Sequence, residues 1–93
     1  MRRLTLTTLL LLALGTAWAQ DGAAVFKSKC AHCHGAQGQG KSGPKLAGTA
    51  LTEDDIVNVL TKGGQPKAPH TKAYKGLDES TAKQVAAYVK TLK

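Results

Sequence analysis

Cys30-Ala31-His32-Cys33-His34 constrains this chain more than any other stretch of its 93 residues. Thiols at i and i+3 share one side of a helical turn, so both can reach a single object. A histidine follows at once, and glycines stand at 35, 38, 40 and 43. Four uses of the pattern compete. A dithiol redox site normally accompanies a βαβ unit, and no strand signal surrounds this one. A zinc site takes four ligands, usually in two spaced pairs; one cysteine pair is present, and His70 is the sole histidine outside the motif. A disulfide across two intervening residues closes a loop too small to gain much chain entropy. Covalent haem attachment uses every member. Each thiol forms a thioether to one porphyrin edge, and His34 offers its imidazole to the iron as proximal ligand. One covalently held haem c, bound through Cys30, Cys33 and His34, is the expectation.

The flanking sequence supplies the context that reading needs. Residues 1–19 carry Arg2 and Arg3, an apolar run from Leu4 to Leu14 and the small-residue ending Ala17-Trp18-Ala19. A bilayer span takes about 20 apolar residues, and this run is shorter and broken by threonines. Residues 1–19 therefore read as a cleaved signal peptide, with an uncleaved anchor as the alternative, and residues 20–93 as a single domain. Export implies a periplasmic or equivalent compartment and no stable membrane insertion after cleavage. The chain has 13 Lys and Arg against 6 Asp and Glu, a net charge of +7. Loss of Arg2 and Arg3 lowers that by two. A domain this small rarely holds together on its own core, and much of the leucine sits in the leader. A large apolar cofactor would complete it.

Three short helices follow from pattern. Val25, Phe26 and Lys29 to Cys33 have helical spacing, ended by Gly35. From Gly35 to Thr49 the composition is that of a loop. Thr52 is a good N-cap with Asp55 at N3, Glu53 and Asp54 suit the positive helix end, and Ile56, Val59 and Leu60 form a stripe that Gly63-Gly64 terminates. A second loop carries Pro66 and Pro69. Asp78 then caps a last helix striped by Ala82, Val85, Val89 and Leu92, with Tyr88 on its flank. With no strand signal, the fold class is all-α. Glycines 35, 38, 40 and 43 would let backbone approach a flat ring where a Cβ would clash.

Over nearly all of residues 20–93 the sequence resembles the small class I cytochromes c. "GAAVFKSKCAHCHG" is similar to the family's first helix, "GPKLAGT" to its proline-leucine loop and "GLDESTAKQVAAYVKTLK" to its terminal helix. The resemblance implies about three short helices and two irregular loops wrapped around one haem. It implies that Gly22 and Phe26 cross the last helix near Tyr88, that Pro44 and Leu46 lie against the haem, and that the Pro44 carbonyl accepts a hydrogen bond from His34.

One departure stands out. Family members usually place a methionine on the far side of the iron, and the only methionine here is Met1. His70, in the corresponding loop and preceded by Pro69, is the first candidate for the sixth position. Lys67 or Lys72, water or an open site, and Tyr74 remain alternatives, whereas His32 points away from the iron. Two strong axial ligands favour a one-electron carrier between redox proteins that performs no net conversion alone. An open site would instead suit gas binding or weak peroxidase activity, and a subunit of a larger oxidoreductase is a third possibility. Lys27, Lys29, Lys41, Lys45, Lys62, Lys67, Lys72 and Lys75 form, in the carrier reading, a positive collar that would steer acidic partners; the alternative is a solvated lysine-rich surface that serves solubility. No nucleic-acid motif accompanies the positive charge.

Overall fold

The first helix, α1, runs over residues 21–34 at the start of the described part of the molecule; the computed structural model describes residues 21–93, and the expected signal peptide lies outside them. Its middle, Phe26–Cys30, is π-helical, and Ala31–His34 returns to α-helix. No glycine or proline marks this widened turn in the sequence, so nothing there foretold it. Such turns are frequent at functional sites. Gly35, at φ 86°, ends the helix in a conformation that a side chain disfavours.

The second helix, α2 (Glu53–Lys62), starts with the reciprocal cap that its sequence encodes. The Asp55 amide donates to Thr52 Oγ1 at 3.1 Å, and the Thr52 amide donates to Asp55 Oδ2 at 3.0 Å. The third, α3 (Glu79–Val89), is capped by Asp78, whose Oδ1 accepts from the Thr81 amide at 2.8 Å. Both carboxyls are held below their ordinary 3.8 by these backbone and side-chain hydrogen bonds. No strand occurs among the described residues, and the all-α arrangement of three helices and two loops is the one the resemblance implies.

α1 crosses α3 where the resemblance implies the crossing. A Cβ on Gly22 would run into the Gln84 carbonyl, so only glycine permits the approach. Phe26 is fully buried, with its ring centre 5.4 Å from that of Tyr88 and the planes inclined at 56°. Burying one such side chain contributes about 1.5–3 kcal/mol. Ala82, Val85, Ala86 and Val89 complete this wall from α3. On α2 the expected stripe is too narrow: Val57 is buried with Ile56 and Leu60, while Val59 is half-buried. The arc widens because α2 packs on α3 and also walls a cavity.

Candidate functional site

The last turn of a helix leaves carbonyls without helical partners, and residues 35–47 supply them for α1. The amides of Gly35, Gly40 and Gly43 donate to the carbonyls of Ala31, His34 and Cys33 at 2.8, 2.7 and 2.7 Å. The Gly38 carbonyl in turn accepts from the amides of Leu46 and Ala47 at 2.8 and 2.9 Å. Folded back this way, the loop brings the Pro44 carbonyl to 2.7 Å from His34 Nδ1. A carbonyl can only accept, so Nδ1 carries the proton and donates it, leaving the lone pair on Nε2. The bond orients the buried ring and makes it a stronger donor to a metal.

The expected role of the four glycines is corrected here. Gly35, Gly38 and Gly40 do not line the cavity; positive φ values of 86°, 70° and 95° and contacts with polypeptide explain them. Gly43 does line it, and a Cβ there would sit 2.9 Å from Cε1 and 3.0 Å from Nδ1 of His34.

Facing this loop, residues 63–76 present His70. The loop is closed by backbone bonds: Gln65 N–H to the His70 carbonyl at 2.9 Å, His70 N–H to the Lys67 carbonyl at 3.1 Å, and Tyr74 N–H to the Leu60 carbonyl at 2.8 Å. The imidazole of His70 is half-buried, and its Nδ1 is buried without a hydrogen-bond partner. Burial, and secondarily His34, lower its pKa from 6.5, so the ring is neutral near pH 7, the form that can donate to a metal. Tyr74 stands 5.8 Å from it, ring centre to ring centre, with its hydroxyl donating to the Lys29 carbonyl at 3.0 Å.

Between the two loops lies a cavity of about 470 Å³ walled by all three helices. Cys30, Cys33, His34, Pro44, Leu46 and His70, every site residue expected from sequence, line it. The His34 and His70 ring centres are 6.2 Å apart, with planes 26° from parallel. A metal–imidazole bond is about 2 Å long, so two imidazoles sharing one metal end-on hold their centres about 6 Å apart. Among the described residues no carboxylate lines the cavity. The chamber thus fits a large apolar group carrying a metal.

The other uses of the cysteine pair fare worse. Both cysteines are free, and burial pushes the Cys30 thiol up to about 11. A dithiol redox site works through the thiolate, and a zinc site needs more protein ligands at one point than the described residues gather. Of the alternative sixth donors, Lys67 lines the cavity and Lys72 does not. Tyr74 lines it, but its hydroxyl is engaged by Lys29, and His32 is exposed outside the cavity. Leu51 also lines the chamber and was not singled out from sequence. It occupies N′ of α2 and Ile56 occupies N4, the two positions of a hydrophobic staple, which is the signal that could have found it.

Comparison with known proteins agrees with this chamber. Residues 17–89 match the family described as cytochrome c oxidase, cbb3-type, subunit III. A curated relative, a "Cytochrome c-553-like" protein of Synechocystis sp. (strain ATCC 27184 / PCC 6803 / Kazusa), is 36% identical over 53 residues, which cover 55% of this chain and 50% of the relative. The chain thus spans about half the length of that relative. The family profile covers most of the chain, including the CxxCH motif and the helices that wall the cavity. The chain therefore belongs to the cytochrome c oxidase, cbb3-type, subunit III family, as a small monohaem c-type cytochrome with covalently bound haem c.

Proposed function

We propose that this protein is a soluble one-electron carrier of an exported compartment, with haem held by Cys30 and Cys33 and its iron between His34 and His70. The observation that carries the reading is the 6.2 Å separation of the two imidazoles across the cavity, one of them oriented by Pro44. When bound, the haem supplies a one-electron couple. The chain's own residues do the rest. Cys30 and Cys33 anchor the group, Pro44 keeps His34 in the donor tautomer, and Phe26, Leu60 and Val85 help exclude water from the wall. Two imidazoles on one metal leave no position for a substrate, which favours transfer over conversion and over gas binding.

The eight lysines of the collar are all exposed, which supports recognition of redox proteins with acidic docking faces. Among the described residues no helix is long and apolar enough to cross a membrane. Residues 1–19 are a signal peptide in this reading, so the exported protein begins at Gln20, a start that its intact mass checks. A second reading follows from the family's description as an oxidase subunit: the chain passes electrons inside a complex. Gel filtration and pull-down from native extracts separate the two.

The deciding experiment is an absorption and electron paramagnetic resonance spectrum of the oxidised protein, matured in a host that attaches haem. A low-spin signal is expected, converted by His70→Ala into one that binds carbon monoxide rapidly on reduction. An unchanged spectrum in that variant removes His70 from the iron.

A further inference from the structure

His70 is poorly secured by its own side chain. His34 is tied through Nδ1 to Pro44, but His70 Nδ1 has no partner, and the bonds that hold the residue are backbone bonds inside its own loop. That loop begins at Gly63 and ends at Gly76, both in the left-handed region, so a flexible residue stands at either end. Something else has to keep the loop against the body of the protein.

Tyr74 is placed to do so. Its amide donates to the Leu60 carbonyl of α2 at 2.8 Å, and its hydroxyl donates to the Lys29 carbonyl of α1 at 3.0 Å. Among the described residues this is the one side-chain hydrogen bond between the loop and α1, and it joins positions 45 apart in sequence. The Tyr74 ring lies 5.8 Å from the His70 ring at 40°, and both residues line the cavity. A phenol whose proton is committed to a carbonyl is poorly placed to serve as a ligand itself, so its role is mechanical.

We propose that Tyr74 is the latch of the distal side, a positioning residue whose hydroxyl bond to Lys29 holds loop 63–76 on α1, keeps His70 in the cavity wall and so limits the access of small neutral ligands to the sixth position. The proposal rests on the reading of His70 as the distal donor. The latch bond lies at the surface, and an ordinary hydrogen bond of this kind shifts an open–closed equilibrium by a factor of about two to ten.

The test uses reduced holoprotein and carbon monoxide as the probe. Tyr74→Phe keeps the ring and its packing and removes only the hydroxyl. The binding rate should rise about two- to tenfold, with the resting absorption spectrum unchanged, and amide exchange at His70 and Tyr74 should quicken in parallel. His70→Ala should bind fast, and adding Tyr74→Phe to it should change nothing, because the latch acts through His70. A Tyr74→Phe rate equal to that of the parent overturns the latch while leaving His70 ligation standing. The same acceleration in the His70→Ala background also overturns it, since Tyr74 would then act directly. A His70→Ala protein no faster than the parent removes His70 from the iron and the latch with it.

Discussion

Residues 35–47 and residues 63–76 each brace one histidine at the same cavity, by different means. The first loop is built onto the end of α1: its amides satisfy the helix's last carbonyls, its Gly43 sits close against the His34 ring, and its Pro44 carbonyl accepts the ring's hydrogen bond. The second is closed mainly on itself and reaches the body through Tyr74. Its histidine has a free, buried Nδ1. The contrast teaches that the two sides of one cavity need not be equally rigid. The His34 ring is held as part of a helix terminus, and the His70 ring is held as cargo on a loop.

The most severe way to break this contrast is to remove the anchor that both sides share. Cys30→Ala with Cys33→Ala should abolish covalent attachment, so that denatured protein releases all pigment and its mass equals that of bare polypeptide. Next in size, His70→Met changes the proposed distal donor alone. Methionine with histidine raises haem potentials, so the midpoint should climb by on the order of 100 mV, within the roughly 0.8 V that axial ligands span, as a voltammetric titration would read. Smaller again is a comparison of glycines. Gly43→Ala pushes a Cβ against His34 and should cost about 1–3 kcal/mol by overpacking, read as a lower Tm. A Cβ on Gly64 of the distal loop meets nothing within 4 Å, so Gly64→Ala should cost less, from its φ of 81° alone. Equal losses would mean that the proximal side is not the tighter one.

The smallest effect is that of acid. Asp55 and Asp78 have folded-state pKa values below the ordinary 3.8, so they stabilise the fold fully above that value and lose this contribution as pH falls through the folded value. Tm should be level above about pH 5 and decline below about pH 4. Asp78→Ala should flatten that decline. Because Asp78 lies just beyond the loop that carries His70, acid should lower amide protection factors around His70 before it does so around His34.

What the sequence made legible was chemistry with fixed spacing. The CxxCH motif and the Thr52 and Asp78 caps depend on residues a few positions apart, whereas the Gly22–Phe26 crossing and the Pro44–His34 bond were implied by the family resemblance. Residues whose role depends on what faces them were harder to read. Val57 and Ala86 belong to the core because α2 and α3 pack on one another as well as around the cavity, a two-sided burial that a single stripe cannot express. Glycines 35, 38 and 40 lie in the expected loop for a different reason, turning it rather than contacting a cofactor. Tyr74 was weighed as a metal donor, and only the fold reveals that its hydroxyl is already taken by a carbonyl 45 residues away.

The π-helical turn at Phe26–Cys30 sets an angular phase between two jobs on one rod. Upstream, Gly22 and Phe26 are in contact with α3; downstream, Cys30 and Cys33 line the chamber. Each residue of a helix advances the direction of its side chain by roughly 100°. Straightening the turn into plain α-helix would keep every chemical group named above, yet it would swing Cys30, Cys33 and His34 together out of alignment with the residues that anchor the rod. The extra residue in that turn works like the offset between two teeth on a camshaft, and its value lies in rotation rather than in any contact it makes.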